Sequence, residues 1–285
     1  MAAVLGTNIA SVWASRNLQS AQTNMAGSVE RLSSGLRINR ARDDAAGLGV
    51  ANILTQQING ANQGIRNLND GISMVQTAEG AIAAASEMAQ RILTLATQGS
   101  NTNLSSDQLT AIATEMQSLW TSIGSIQTRT KFTGTSLLNG GAAITIQAGN
   151  ESADTVTISQ AAIRIIHIAS GTSSAVEGLY DAINTAQTTP VTADMTAVLG
   201  KVDDYITYLD TQRSTLGAIQ NQMEYAVNNI TELSANLTAA RSRVIDTDYA
   251  TETASLTKGQ ILQQAATAML AQANQMPNVI LSLLK

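Results

Sequence analysis

Apolar residues return along this chain in alternating steps of four and three. From Leu54 they fall at positions 54, 58, 61, 65, 68, 72, 75, 79, 82, 86, 89, 93 and 96, where only Glu79 and Ser86 are polar. Residues three and four apart share one helix face, so this stripe predicts a long coiled-coil or bundle helix. A second seam runs Leu109, Ile112, Met116, Leu119, Ile123, Ile126, with Ser105 and Gln108 at capping-box spacing before it. A third runs Val202, Tyr205, Leu209, Gln212, Leu216, Ile219, Met223, Ala226, Ile230, Leu233, Leu237. At the C-terminal end a fourth runs Leu262, Ala266, Met269, Ala273, Met276, Ile280, Leu283, and near the N-terminal end a first helix offers Leu18, Met25, Val29, Leu32 and Leu36. No such helix buries its stripe alone. Met88, Ile92 and Leu95 give the longest helix a second apolar line, which calls for more than one neighbour and favours a bundle.

The middle of the chain has another period. In AAITIQAGNESADTVTISQ, residues 142–160, Ile144 and Ile146 precede a Gly/Asn/Asp turn and Val156 and Ile158 follow it. Alternation around a turn predicts a β-hairpin. Residues 161–197 are expected to form a surface-variable tip of loop and short helix, since much of this stretch is Ser, Thr, Ala and Gly. The expected fold is mainly α: a long coiled-coil helical rod with one β-hairpin.

Two charged interruptions divide the helical stretches. The first, within LSSGLRINRARDDAAGLGVA (32–51), carries Gly35, Arg37, Asn39, Asp43, Asp44 and Gly47; the second, RSRVIDTDYAT (241–251), carries Arg241 and Arg243. The simplest fold pairs the N- and C-terminal helices. It places residues 1–43 and 246–285 in an inner domain and 44–245 in an outer bundle. The charged stretches are then interdomain joints, where Gly35, Gly47 and Gly49 loosen the helices.

Composition suits helical rods. Hydrophobic residues make up 44% of the 285, but aromatics only 3%, and there are 2 prolines. The net charge of −5 comes without runs of like charge, which argues against nucleic acid or an anionic membrane as partner. With no cysteine, disulfides and thiolate chemistry are excluded. The N-terminal MAAVLGTNIASVWASR lacks the pattern of a cleavable signal peptide, and no apolar run reaches membrane-spanning length.

Catalytic chemistry finds no support. The single histidine, His167, stands among apolar residues, where packing is the commoner role. Asp43–Asp44 and Asp203–Asp204 are adjacent, and adjacent helical residues do not face one way, so capping or solvation is expected of them. Gly47-Leu-Gly49 lacks the third glycine and preceding strand of a nucleotide loop. Gly60 and Gly64 sit among Asn59, Asn62 and Gln63, so their spacing points to close helix approach outside a membrane. No enzyme, cofactor or metal site is expected. A self-assembling structural protein and a coiled-coil adaptor or secretion protein remain the two readings.

Several of these stretches resemble bacterial flagellin. Leu32-Ser-Ser-Gly-Leu-Arg-Ile-Asn39, Asp43-Asp-Ala-Ala-Gly47 and Gln57-Ile-Asn-Gly60 are similar to its N-terminal core. Ala240-Arg-Ser-Arg-Val244, Asp248-Tyr-Ala-Thr-Glu252, Gln260-Ile-Leu-Gln-Gln264, Leu270-Ala-Gln-Ala-Asn-Gln275 and Leu281-Ser-Leu-Leu284 are similar to its C-terminal core. The resemblance covers roughly 1–140 and 200–285. About 40 residues separate the hairpin from the third seam, which implies a short, core-only form. It implies a subunit that self-assembles with copies of itself into the extracellular filament that drives motility, with a hook–filament junction protein as the alternative. It further implies export of the unfolded chain through the flagellar secretion channel, with a chaperone on the C-terminal helix, and filament cap and hook-junction proteins as neighbours. Leu18, Met25, Val29, Leu32, Leu36, Leu262, Met269, Met276, Ile280 and Leu283 would then serve assembly. Gln90, Arg91, Leu95 and Glu115 match the patch read by Toll-like receptor 5.

Overall fold

The structure is a computed structural model that describes residues 8–159, 165 and 174–283, without the side chains of 174 and 276–283. His167 and the side chains of Met276, Ile280 and Leu283 therefore lie outside the described residues. The elements run α1 (Ile9–Ser34), α2 (Ala45–Gly99), α3 (Ser106–Arg129), β1 (Lys131–Phe132), β2 (Thr135–Ser136), β3 (Ile144–Gln147), β4 (Thr155–Ile158), α4 (Ser174–Thr188), α5 (Thr192–Ile245) and α6 (Tyr249–Leu283). The fold is mainly α, as its heptads predict.

Two compact units emerge: a terminal unit of Met1–Ile58 with Ala235–Lys285, and a bundle unit of Asn59–Ser234. The helix breaks fall at the two charged stretches, between α1 and α2 and between α5 and α6. The compact units divide elsewhere, inside α2 and α5.

The 54–96 seam packs as read: Ile58 is buried in the terminal unit, and Ala61, Leu68, Val75, Ile82, Ala89 and Ala96 are buried in the bundle unit. The second apolar line is buried too, through Ala78, Ala85, Ile92 and Leu95, because α2 is enclosed on more than one side. Helix α5 runs antiparallel to α2. Met195 meets Gly99, Arg213 pairs with Glu79, Met223 meets Gly71 and Ser234 bonds Asn62. Helix α3 begins at the expected capping box, Ser105 and Gln108 satisfying each other's backbone N–H. It buries Leu109, Ile112, Met116 and Ile123, and Trp120 meets Tyr205 edge-on at 5.4 Å. The Tyr205 hydroxyl, fully buried, donates to the Ile165 carbonyl at 2.8 Å, and burial raises its pKa.

The hairpin forms where the alternation predicts. Strands β3 and β4 are antiparallel, with Ile144 opposite Ile158 and Ile146 opposite Val156. Its backbone lies on α2, where a Cβ on Gly64 would stand 1.7 Å from the Ala148 carbonyl oxygen. The Gly60–Gly64 pair thus seats a hairpin, not a second helix. Asn67 Nδ2 donates to the Gln147 carbonyl at 2.9 Å along the same face.

Three expectations need correction. A second hairpin, β1–β2, follows α3 and turns on Thr133 and Gly134, both at positive φ. Its strands have two residues each, too few to show a period. The 161–197 stretch forms the expected short helix where it is described, but that helix packs into the core instead of standing as a surface tip. Helix α4 buries Val176, Leu179, Ile183 and Ala186, a helical spacing that the surrounding Ser, Thr and Gly obscure, and α5 already starts at Thr192. Gly47 and Gly49 do not loosen a helix. Both lie within α2, and at Gly47 a Cβ would fall 2.4 Å from the Asp44 carboxylate and 2.8 Å from Ile38.

Candidate assembly interface

The joint is built from backbone and short polar side chains. Gly35 ends α1 in the left-handed conformation at φ 72°, and its N–H donates to the Arg31 carbonyl. Leu36 and Asp246 form an isolated antiparallel bridge, and the N–H of Thr247 donates to the Gly35 carbonyl at 2.9 Å. Arg37 donates from its backbone to the Ile245 carbonyl and from its guanidinium to that of Val244. Both charged stretches are thus fastened to one another within the terminal unit, with Ile38 buried at 3% exposure.

The acids of the joint hold backbone N–H groups: Asp43 closes the turn before α2, and Asp44 caps α2 itself. Asp43 accepts from the backbone N–H of Asn39 and Arg40, and the latter bond above all lowers its pKa. Asp44 accepts from the Gly47 N–H at 2.8 Å at the start of α2. Asp248 does the same for α6. It accepts from the Thr251 hydroxyl at 2.8 Å and from the N–H of Ala250 and Thr251, and the hydroxyl bond is the largest cause of its lowered pKa. Asn39 Nδ2 donates to Ser34 Oγ at 2.7 Å, and Arg40 pairs with Glu30 at 2.7 Å. Arg241 and Arg243 have no carboxylate within ion-pair distance among the described residues.

The terminal helices α1 and α6 pair antiparallel. Asn8 Nδ2 donates to the Ala273 carbonyl at 2.7 Å, Met25 meets Gly259, and Arg31 reaches Glu252 at 3.2 Å. The residues between them are small. Ala14, Ala21 and Ser28 are buried from α1, and Gly259 and Ala273 from α6, with Leu18, Met25, Leu32 and Ala266 half-buried beside them. Small residues at a heptad seam let two backbones approach closely.

This changes the expected α1–α6 contacts. Leu262 and Met269 do not fill the seam; they are 49% and 65% exposed. Val29 is also exposed, and Leu36 lies beyond the end of α1. The seam on α6 runs through Glu252, Leu256, Gly259, Gln263, Ala266, Leu270 and Ala273, one helix line away from Leu262 and Met269. The bulkiest stripe is therefore not the paired one. Ile9, Val12 and Trp13 were missed, and they too are exposed, Trp13 by 61%. Their i, i+3, i+4 spacing was the available signal. Trp13, Ala14, Leu262, Ala266, Met269 and Ala273 line an open groove of about 550 Å³.

On the bundle unit the four predicted receptor-contact residues separate. Arg91 and Glu115 meet, with Nη2 to Oε1 at 2.7 Å and Nε to the same oxygen at 3.1 Å, and both side chains are about half exposed. Gln90 is exposed beside them in sequence. Leu95 does not face outward. At 2% exposure it belongs to the core, because it lies on the second apolar line of α2. Gly99, which ends α2, is where Met195 packs. Among the described residues no group of three acids or histidines is placed to hold a metal, and no helix is long and apolar enough to cross a membrane.

Residues 5–143 match the bacterial flagellin N-terminal helical region, and 199–284 match the bacterial flagellin C-terminal helical region. Flagellin of Bacillus subtilis is 38% identical over 95% of this chain and 95% of its own length. Flagellin of Halalkalibacterium halodurans is 38% identical over 99% and 100%. A solved structure of a flagellar hook-associated protein from Vibrio parahaemolyticus, 17% identical, covers 72% of this chain and 100% of its own, with a TM-score of 0.59; it shares the fold. Two family regions in order, joined by relatives alike over nearly the whole length, place this chain among the bacterial flagellins, structural subunits of the flagellar filament and not enzymes.

Proposed function

We propose that the chain acts by self-assembly, polymerising with copies of itself into a helical tube through its terminal helices. The observation that carries this reading is the open side of the α1–α6 pair. Close packing uses up the small residues and leaves Ile9, Val12, Trp13, Ile261, Leu262 and Met269 in solvent. Large exposed apolar residues concentrated on one helix pair mark an interaction surface. The same side chains explain a need for cover before assembly. The subunit travels unfolded through the flagellar secretion channel, a chaperone shields α6, and cap and hook-junction proteins bound the extracellular polymer. Electron microscopy of the purified chain tests the reading: long helical tubes are expected, and persistent monomer would refute it.

A second reading concerns Toll-like receptor 5, and the exposed Arg91–Glu115 pair favours it. Glu115 holds the guanidinium in place with two hydrogen bonds while leaving it half exposed. An immobilised arginine loses less freedom on docking, and arginine is favoured where binding energy concentrates. Arg91→Ala should weaken monomer binding by about 2 kcal/mol, roughly thirtyfold. Leu95 supports this patch from inside the core. Dose–response activation of receptor-bearing cells, with circular dichroism on each variant, measures it; equal potency of folded Arg91→Ala would remove the patch from recognition.

A further inference from the structure

The two units carry opposite charge. The terminal unit has 9 Lys and Arg against 6 Asp and Glu, a net of +3. The bundle unit has 7 against 15, a net of −8. The chain's −5 hides this separation. Five of the nine cations are arginines of the joint: Arg37, Arg40, Arg42, Arg241 and Arg243. Three of them are committed within the chain. Arg37 bonds the Val244 carbonyl, Arg40 pairs with Glu30, and Arg42 stands 3.6 Å from Asp43. Arg241, half-buried, and Arg243, exposed, have no carboxylate within ion-pair distance among the described residues. They are carried near the end of α5, which the joint fastens at Ile245 and Asp246. In the bundle unit, Asp70, Glu87, Asp203, Asp210, Glu224 and Glu232 are exposed, with no cation in ion-pair distance among the described residues.

We propose that the joint of one copy docks on the bundle unit of a second copy, with Arg241 and Arg243 against its carboxylates. The inference rests on the self-assembly reading and adds to it a contact apart from the apolar terminal helices. Charge complementarity identifies the occupant. A terminal unit of net +3 on a chain of net −5 fits the acidic bundle unit of another copy. Guanidinium also matches carboxylate geometry, two hydrogen bonds to one acid. Exposed charges beyond about 8 Å are screened at physiological salt, so this contact acts mainly on the rate of encounter.

Seeded elongation of the full chain, followed by light scattering in NaCl between about 20 and about 300 mM, tests the proposal. Wild-type elongation is expected to slow about tenfold over that range, as steered association does. Arg241→Gln/Arg243→Gln should elongate at least about threefold more slowly at low salt and respond less to salt. The corresponding double Lys variant should recover much of the rate, because it keeps the charge. Circular dichroism checks that each variant is folded. Elongation indifferent to salt, or a Gln variant as fast as wild type, overturns the docking and leaves self-assembly standing. No elongation at any salt overturns both.

Discussion

Gln212 carries an amide oxygen into the interior of the bundle, where it has no hydrogen-bond partner among the described residues. A buried acceptor that has lost water and gained nothing costs about 1–3 kcal/mol. Gln212→Leu fills similar volume without that oxygen, so monomer stability should rise by about 1–2 kcal/mol. Urea denaturation reads it, and a lower midpoint would mean that the oxygen has a partner in an internal water. Gln212 was legible as the polar interruption of an otherwise apolar seam, and so were Leu209, Leu216 and Met223 around it. Leu95 was less so. A residue type at a family position does not show which way a side chain faces; its spacing from Met88 and Ile92 does. Leu262 and Met269 misled for a related reason. Hydrophobic size marks a stripe as sticky, but backbones approach closest over alanine and glycine, so the bulky line was left outside the pair.

Helix α2 shows the consequence of a missing side chain in both directions. Gly64 lies under the hairpin with a carbonyl where its Cβ would be, whereas among the described residues nothing lies within 4 Å of a Cβ on Gly80. Gly64→Ala should therefore destabilise the monomer by about 1–3 kcal/mol through overpacking. Gly80→Ala should stabilise it by about 0.5–1 kcal/mol through helix propensity. Thermal unfolding of the two variants gives the comparison, and shifts of the same sign would mean that the hairpin is not seated there. The helices and β3–β4 were legible because each repeats its period several times. The β1–β2 hairpin is too short for that, and α4 shows its apolar spacing only among small polar residues. The joint was legible as a break but not as a clamp, since bridges such as Leu36–Asp246 are made by backbone. Its acids give it a pH response. Asp43 and Asp248 lose their protons more readily when folded, from an ordinary value of 3.8. Their contribution is complete above that value and fades as pH falls through their lowered folded values. Asp43→Asn should make unfolding less steep with acid below about pH 4, as a pH series of thermal melts would register; an unaltered slope would mean that this carboxylate does not couple to folding.

At the scale of the molecule, helical pairing and a stabilised bundle serve an end that neither unit meets alone. The bundle unit closes its own core, while the terminal helices bury mainly Ala14, Ala21, Ser28, Gly259 and Ala273 between them and leave Trp13, Leu262 and Met269 outside. A protein built to remain single would bury Trp13, Leu262 and Met269; a subunit presents them. The family and the mainly α architecture were legible from the two ends of the sequence, where the heptads and the matching stretches coincide. Which faces remain open was not, because it depends on the register chosen by α1 and α6. The central claim is that assembly runs through these terminal helices. Its most direct test is sedimentation after seeding, comparing the full chain with one lacking residues 262–285, with circular dichroism on both. The full chain should pellet as filament, and the shortened one should stay in the supernatant with its bundle still helical. Normal filaments from the shortened chain would contradict the account.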